Sequence, residues 1–330
     1  MCPFFLETLS KRIQLTHLTR KQICVDGFEK EMEMSLSAPV DSGFQKRLEE
    51  TQDLPVLPQL YAQALRIASD PEGDIVRLQE ILQHDPSLTA HILKVANSAY
   101  YGFPNRIESL RTAIVMLGTL EIIRLLTAAS ALAAFPRQHL SSDFDPIHFW
   151  YHSAAVGESS AYIRRKLNLQ LAGDVYTGGL LHDIGKILLA ARFQVEYDLC
   201  LRYARQQDVP LRVAEQRVLG LDHASIGGLL ALRWDLPVAL VAMITNHITP
   251  ERETYHPVEV GLVHLGNRIA KRFSAYSADK DVDHPLEEDP AWQVVAGQKW
   301  PDEIDVPAMI EECKVEVERS AELMRSLLSD

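Results

Sequence analysis

The chain has 330 residues, 47% hydrophobic and 24% charged, which is an ordinary balance for a folded protein with a large core. Its 33 basic and 45 acidic residues give a formal net charge of −12, and without a long basic run this argues against a nucleic-acid-binding surface. The four cysteines form no Cys-x-x-Cys pair or disulfide framework, and no apolar run reaches the ~20 residues that cross a bilayer, so we expect a cytoplasmic protein that binds no membrane.

The first 46 residues mix basic and acidic stretches and end in a segment rich in serine and proline. We interpret residues 1–46 as a partly disordered leader or linker. Met32 and Met34 are alternative translation starts within it, a hypothesis that an intact-mass measurement of the native protein tests.

From about residue 47, apolar residues recur at intervals of three and four, and strict alternation is missing. This pattern predicts an all-α fold. Asp85 and Pro86 are typical of a helix start, and Leu88, Ile92 and Val95 form one apolar face of the helix that follows. The stripe from Ile107 to Phe135 breaks near Gly118 and predicts two packed helices.

A second start signal, Asp145-Pro146, predicts a helix that runs toward Leu167. We place a boundary here, between an N-terminal helical subdomain at 47–144 and a helical subdomain at 145–275 that carries the histidines. The remaining segment, 276–330, contains an acidic loop at 279–290 and a final amphipathic helix that suits packing on the body or on a second subunit. The other helices are predicted at 173–192, 195–207, 210–220, 223–233, 237–248 and 257–275.

The pair His182-Asp183 lies in the apolar, glycine-flanked segment Gly178–Lys186, which we predict to be helical. An imidazole and a carboxylate on consecutive helical residues point about 100° apart, so they can bind different sides of one ion, or the carboxylate can bridge two. With His152, His223 and His247, the pair predicts a buried pocket of nitrogen and oxygen ligands.

Other features of the chain have simpler interpretations. The pairs Gly178-Gly179 and Gly227-Gly228 lack the context of phosphate-binding loops, which favours close helix packing. The segment Asn97-Ser-Ala-Tyr-Tyr-Gly102 suits either packing or contact with a ligand or partner. His91, His148 and His264 are interpreted as surface or hydrogen-bonded core residues and not as ligands.

Four segments together resemble the HDOD family, whose members are related to the HD and HD-GYP phosphohydrolases. The resemblance covers about 47–275 and implies an all-helical fold in which an N-terminal bundle packs on an HD-like core, in a bacterial signalling or regulatory setting. HDOD domains are degenerate HD relatives without an established common reaction. The four segments are Leu54-Pro-Val-Leu-Pro58, Asp85 to Gly102, Ile107 to Gly118 and Gly179-Leu-Leu-His-Asp-Ile-Gly-Lys186.

The resemblance assigns ligand positions residue by residue. The chain departs from the pattern of active enzymes at Asn267, where they place an aspartate, and at Ile248, where a second histidine is lost. A neutral amide is a weaker ligand than a carboxylate, so one transition-metal ion, iron or zinc, is favoured over a magnesium or calcium pair. We expect Lys186 and Asn267 next to the ligands. The matching ligand positions are His152, His182, Asp183, His223 and His247.

Three interpretations of this constellation stay open. In the first, the five residues form an inherited polar network that only orders the core. In the second they bind a metal without turnover, and in the third they are the active centre of a hydrolase. We favour a regulatory protein that acts by binding signalling proteins or a small nucleotide ligand in trans, without turnover, and the sequence allows a homodimer. The alternative is a metal-dependent phosphohydrolase that acts on a nucleotide or cyclic dinucleotide.

Overall fold

The regular elements of the structure are helices throughout the part of the chain that it describes, as the apolar spacing predicts. The all-α prediction is therefore confirmed. The leader up to residue 41, the start signal Asp85 and the segment 56–58 lie outside the described residues. This computed structural model describes residues 42–51, 54–55, 75–83, 86–98, 100–135, 140–171, 173–273, 284–299 and 305–328.

Five helices precede residue 135 among the described residues. The face predicted for α3 is seen at Ile92 and Val95, which are buried, whereas the side chain of Leu88 lies outside the described residues. Gly118 has a φ of +82° and separates α4 from α5, which are bent by 114° to each other, as the break in the stripe predicts. The helices are α1 (Ser42–Glu50), α2 (Ile75–Leu82), α3 (Pro86–Ala96), α4 (Leu110–Leu117) and α5 (Thr119–Ala134).

Helix α1 begins at Ser42, inside the segment that we interpreted as a leader, and it packs on the C-terminal half of the protein. The ring of Phe44 is fully buried and lies edge-on to Phe193, with centroids 5.0 Å apart. Arg47 pairs with Glu196 at 2.9 Å. Residues 42–46 therefore belong to the packed body of the protein.

The C-terminal half is built around α6, which packs against α7, α13 and the terminal helix α15. Asp145 caps α6 by accepting a hydrogen bond from the His148 N–H, as predicted. The helices that follow are α7 (Val175–Leu181), α8 (Ile184–Arg192), α9 (Gln194–Gln207), α10 (Leu211–Leu219), α11 (His223–Arg233), α12 (Val238–Asn246) and α13 (Pro257–Phe273), and α6 itself is Pro146–Lys166.

The prediction of one helix over 173–192 is wrong. The chain leaves α7 at Leu181 and enters α8 at Ile184, so the His182-Asp183 pair forms a turn between two helices. The polar pair interrupts the apolar residues, but neither a glycine at the helix end nor a proline marks the end of α7 at Leu181. The turn, and not the periodicity of a helix, therefore determines the directions of the His182 and Asp183 side chains.

Glycines allow the histidine-bearing helices to approach closely. A Cβ atom on Gly179 would lie 2.7 Å from the Cα of Gly157, and one on Gly185 would lie 2.0 Å from the carbonyl oxygen of His223. Both distances are shorter than any van der Waals contact, so only glycine fits at these crossings. The backbones of α6 and α7, and of α8 and α11, are thereby brought into contact around the His-Asp turn.

Two helices complete the described chain. Helix α14 (Pro290–Lys299) follows the 3₁₀ turn Leu286–Glu288 and was not predicted from the sequence. Helix α15 (Val306–Leu328) packs on α6 through a face in which Ile310, Cys313 and Met324 are buried. The amphipathic spacing of this last segment therefore corresponds to packing on the body of the protein.

A polar cluster joins the two halves. Arg124 of α5 pairs with Glu121 and with Asp174, both at 3.2 Å, and Asp174 caps the first turn of α7. The hydroxyl of Tyr100 donates to Glu158 at 3.3 Å. Burial raises the pKa of the Glu158 carboxyl to about 7, against the opposing charge of Arg124.

The segment 97–102 acts mainly through packing. The side chain of Asn97 exchanges hydrogen bonds with the backbone of Ile107, at 2.8 and 2.7 Å. Tyr101 donates to Glu121 at 2.7 Å. Of the two interpretations of this segment, the structure supports packing between α3 and the helices that follow.

In the described part of the chain, no individual helix has the length and apolar content that a membrane span requires. Helix α4 and the first part of α5 pass that test only when taken together, and they are sharply bent at Gly118.

Candidate metal centre

Helix ends position the predicted ligands. His182 follows the last residue of α7, His247 follows the last residue of α12, and His223 is the first residue of α11. Asp183 lies in the turn before α8, and His152 is contributed by the long helix α6. Five side chains from separate parts of the sequence are therefore directed at one point.

The structure brings all five predicted residues together around the Asp183 carboxylate, which is 1% exposed. On its Oδ1 side, the Nε2 atoms of His223 and His247 lie 3.1 and 3.5 Å away. On its Oδ2 side, the Nε2 atoms of His182 and His152 lie 3.2 and 3.9 Å away. Each side forms a group whose ligand atoms all lie within 4.8 Å of one another.

The second ring nitrogen of three histidines is fixed by an acceptor. His182 donates its Nδ1 proton to the carbonyl of Gly179 at 2.7 Å, and His247 donates to that of Ile244 at 2.9 Å. His223 Nδ1 lies 2.6 Å from the carboxylate of Glu215. Carbonyl and carboxylate oxygens only accept, so Nδ1 of each ring bears a proton, and the Nε2 atoms of His182 and His247 each offer a lone pair.

These lone pairs point at a carboxylate and not at donors. Among the buried side-chain atoms of the described residues, His182 Nε2, His247 Nε2 and Asp183 Oδ1 have no hydrogen-bond partner. Converging acceptors in a buried site repel one another unless a cation lies between them. Imidazole nitrogens with one carboxylate are the donor set of zinc and iron sites, so these residues fit the ion that the sequence predicts.

Burial and charge set the protonation of the cluster. Burial lowers the pKa of His152 and of His247 to about 3, which keeps both rings neutral. Burial alone also lowers the pKa of His223, but the charge of Glu215 raises it to about 9. Burial raises the pKa of Asp183, yet the neighbouring His182 ring and the Lys186 ammonium hold it well below its usual range. An ion at Asp183 would displace the proton of His223.

Of the two residues predicted to lie next to the ligands, Lys186 contacts Asp183 and Asn267 lines the same cavity as Asp183. Lys186 Nζ lies 2.7 Å from Asp183 Oδ2, so a cation of the protein itself lies on that side of the carboxylate. Asn267 is 9% exposed, and its Oδ1 atom lacks a hydrogen-bond partner among the described residues. The Oδ1 side of Asp183 is therefore the better fit for one ion.

A cavity of about 330 Å³ opens onto this cluster. Its wall includes Asp183, His223 and His247, together with Asn267 and Ile248. Although the whole chain carries a net charge of −12, cationic side chains converge on this cavity. The wall also carries the carboxylates of Asp183, Glu288 and Asp289, so its cationic side chains exceed its carboxylates by one. An excess of positive charge in a concave site favours an anionic ligand such as a phosphate. These cationic residues are Lys186, Arg212, Arg268 and Lys271.

His264, which we interpreted as a surface or hydrogen-bonded residue and not as a ligand, lines the cavity and is hydrogen-bonded at both ring nitrogens. Its Nδ1 donates to the carbonyl of His247 at 2.7 Å, and its Nε2 lies 3.0 Å from Asp289. Arg268 binds the same carboxylate at 2.5 Å. Burial raises the pKa of Asp289, but His264 and Arg268 outweigh it and lower the pKa to about 2. This network fastens the start of α14 beside the ligand histidines.

Glu215 is the other residue that the sequence analysis missed. It is fully buried, and one of its oxygens accepts from both the backbone N–H and the Nδ1 of His223. The available signal was its position on α10, where a carboxylate occupies the apolar face. The apolar residues of that face are Leu211, Ala214, Val218 and Leu219.

The fold and sequence are similar to those of known bacterial proteins. A Geobacter sulfurreducens HDOD domain protein of unknown function superposes with a TM-score of 0.76 over 90% of this chain and 99% of that chain, at 22% identity. A Shewanella amazonensis protein provisionally named a phosphohydrolase superposes with a TM-score of 0.66 over 87% and 98% of the two chains, at 24% identity. Likeness at these identities establishes the fold alone.

One curated protein, an uncharacterized protein of Treponema pallidum, is 24% identical over 209 residues. The match spans 62% of this chain and only 40% of that protein. The sequence model of the HDOD domain matches residues 54–250, which is more than half of the chain. The chain described here therefore belongs to the HDOD family.

Proposed function

We propose that this protein is a regulatory HDOD protein that binds a phosphate-bearing ligand, in the size range of a small nucleotide, without turning it over. In this proposal one iron or zinc ion lies on the Oδ1 side of Asp183 and forms the floor of the ligand cavity. The observation that carries the proposal is the opening of a cation-lined cavity directly onto a cluster of unpaired ligand atoms.

The residues of the cavity have distinct roles in the proposal. Lys186, Arg212, Arg268 and Lys271 neutralise phosphate charge, and the fork of an arginine suits two phosphate oxygens at once. The asparagine and isoleucine at 267 and 248 add no charge. A bound ion of this kind polarises a phosphate oxygen and lowers the pKa of coordinated water toward ~7.

The absence of turnover follows from charge in this proposal. Asp183 is the carboxylate that faces the Nε2 atoms of the predicted ligand histidines, and Lys186 already binds its Oδ2 atom. A hydrolase must hold ion and phosphate while it generates hydroxide, which one shared carboxylate supports poorly. The retained histidines favour a second candidate, a metal-dependent phosphohydrolase acting on a nucleotide or cyclic dinucleotide.

The setting that we propose is the cytoplasm, with signalling proteins in trans as the partners that read the ligand state. Cys200 and Cys313 are both unpaired and buried, which suits a reducing compartment. The cluster around Arg124 and Asp174 connects the N-terminal half to α7, whose end carries His182. Movement between the halves is thereby linked to the proposed metal centre.

The test is metal analysis of protein purified without chelator or nickel affinity resin, combined with nucleotide binding and turnover assays. We expect about one equivalent of iron or zinc, lost in His247→Ala and Asp183→Ala but kept in His148→Ala, whose ring lies in the first turn of α6. Nucleotide should bind and be recovered intact. Turnover that both site variants abolish would establish the hydrolase instead, and wild-type protein with neither ion nor ligand would refute both candidates.

A further inference from the structure

A carboxylate that does not touch the cavity backs one of the proposed ligands. Glu215 Oε2 lies 2.6 Å from His223 Nδ1 and 2.9 Å from its backbone nitrogen. Its other oxygen, Oε1, has no hydrogen-bond partner among the described residues. Burying a glutamate with one oxygen that accepts no hydrogen bond lowers the stability of the fold. The hydrogen bonds to His223 alone do not explain why this residue is a glutamate.

The proposed ion needs more negative charge than its own ligands provide, because Asp183 is the one carboxylate in the group with His223 and His247. A divalent ion and the Lys186 ammonium bring three positive charges, and Asp183 returns one negative charge. Asn267, whose unpaired oxygen lies at the same cavity, contributes none. Of the two histidines on the Oδ1 side of Asp183, His247 is backed by a neutral carbonyl, so His223 is the ligand through which a further negative charge reaches the ion.

We infer that Glu215 is a positioning residue that supplies this missing charge through His223. The carboxylate holds the ring with Nε2 toward Asp183 Oδ1 and strengthens its donation to the ion. Carboxylates placed behind ligating histidines act in this way in metalloproteins. The inference rests on the proposed metal site and identifies which residue, besides the ligands, determines its affinity.

The direct test is the zinc affinity of purified protein, measured by competition with a chromophoric chelator. Glu215→Gln keeps the size of the side chain and one acceptor oxygen for His223 but removes the charge. We expect zinc to bind about 10- to 100-fold more weakly. The matched control is Glu158→Gln, which neutralises another buried glutamate on α6 and should leave the zinc affinity unchanged.

A rescue separates charge from packing. Asn267→Asp places a carboxylate at the cavity wall, on α13 and not on α10. In the Glu215→Gln background we expect this change to restore zinc affinity to within about threefold of the wild type, a non-additivity that arises when two groups serve one site. A purely structural role of Glu215 would not be rescued by a substitution on another helix.

The outcomes are distinct. Wild-type affinity in Glu215→Gln overturns the inference and leaves the proposed function standing, and a loss that Asn267→Asp fails to rescue overturns the charge argument. Wild-type protein that binds no zinc refutes the proposed metal site and this inference with it. If Glu215→Gln does not fold, Asn267→Asp alone decides, since added charge must then tighten zinc binding and unchanged affinity contradicts the inference.

Discussion

Replacing Gly185 with alanine tests how tightly the His-Asp turn is packed. The new Cβ atom would lie 2.0 Å from the carbonyl oxygen of His223 and 2.8 Å from the nitrogen of Gly227. Ordinary contacts begin near 3.4 Å, so α8 and α11 must separate by about 1.4 Å at this crossing. The displacement also moves Asp183 and His223 apart, because Asp183 lies two residues before Gly185 and His223 carries the contacted carbonyl oxygen.

General values give the change in the free energy of unfolding that Gly185→Ala causes. Overpacking a crossing of two backbones costs about 3 kcal/mol, and alanine regains about 1 kcal/mol over glycine as a helix former. The net loss of unfolding free energy is about 2 kcal/mol, equivalent to a decrease in Tm of about 4 to 8 °C. Urea unfolding followed by circular dichroism measures the first quantity, and thermal unfolding the second.

Gly297→Ala is the matched control for this prediction. Gly297 lies in helix α14, and a Cβ atom there would have no neighbour within 4 Å. The control should gain up to about 1 kcal/mol from helix propensity. If Gly185→Ala proves as stable as Gly297→Ala and binds zinc like the wild type, the close approach of α8 and α11 is wrong, and the placement of His223 with it.

Three further predictions concern the interface of the halves and the ion. Arg124→Ala and Asp174→Ala should each lower the free energy of unfolding by about 2 to 3 kcal/mol, because each change leaves a partly buried charge without its partner. The double variant should lose distinctly less than the sum of the two, and additive losses would contradict a direct interaction between the two residues. Glu158 has a folded pKa of about 7, above its unfolded value of 4.5, so the folded state binds more protons between these values and its stability falls as pH rises. The wild type should thus lose about 3 kcal/mol relative to Glu158→Gln from pH 4.5 to pH 7 in urea titrations, whereas a constant difference would contradict the burial argument. Chelation of the ion should lower the Tm of the wild type and leave that of Asp183→Ala unchanged, since a ligand at 100 times its Kd contributes ~2.7 kcal/mol.

The sequence predicted the helical class and the group of residues around Asp183 because these depend on local patterns. Apolar residues at three- and four-residue spacing define buried faces, and the start signal at Asp145 caps α6 as predicted. The histidines lie in motifs of the family resemblance, so they were found without knowledge of their distances. The motifs indicated that the four histidines and Asp183 lie together, and the structure gives their distances.

The structure was needed where the outcome depends on contacts distant in sequence. The break at residues 182–183 follows no glycine or proline stop signal, and it lies where α8 packs closely on α11. Glu215 precedes His223 by eight residues without a recognised motif, and His264 meets the site through His247 and Asp289, which are 17 and 25 residues away in sequence. Helix α14 follows an acidic, proline-containing stretch whose local preference is for a loop.

The most direct test of the account is a crystal structure of metal-loaded protein with diffraction recorded at the absorption edge of zinc or iron. The account predicts one anomalous peak, bounded by Asp183 Oδ1, His223 and His247, with Lys186 still bound to Oδ2. A protein without a peak at these residues, after growth and purification with the metal present, would contradict the claim that the cluster is a metal centre. A second peak in the place of Lys186 would contradict the claim that it holds a single ion.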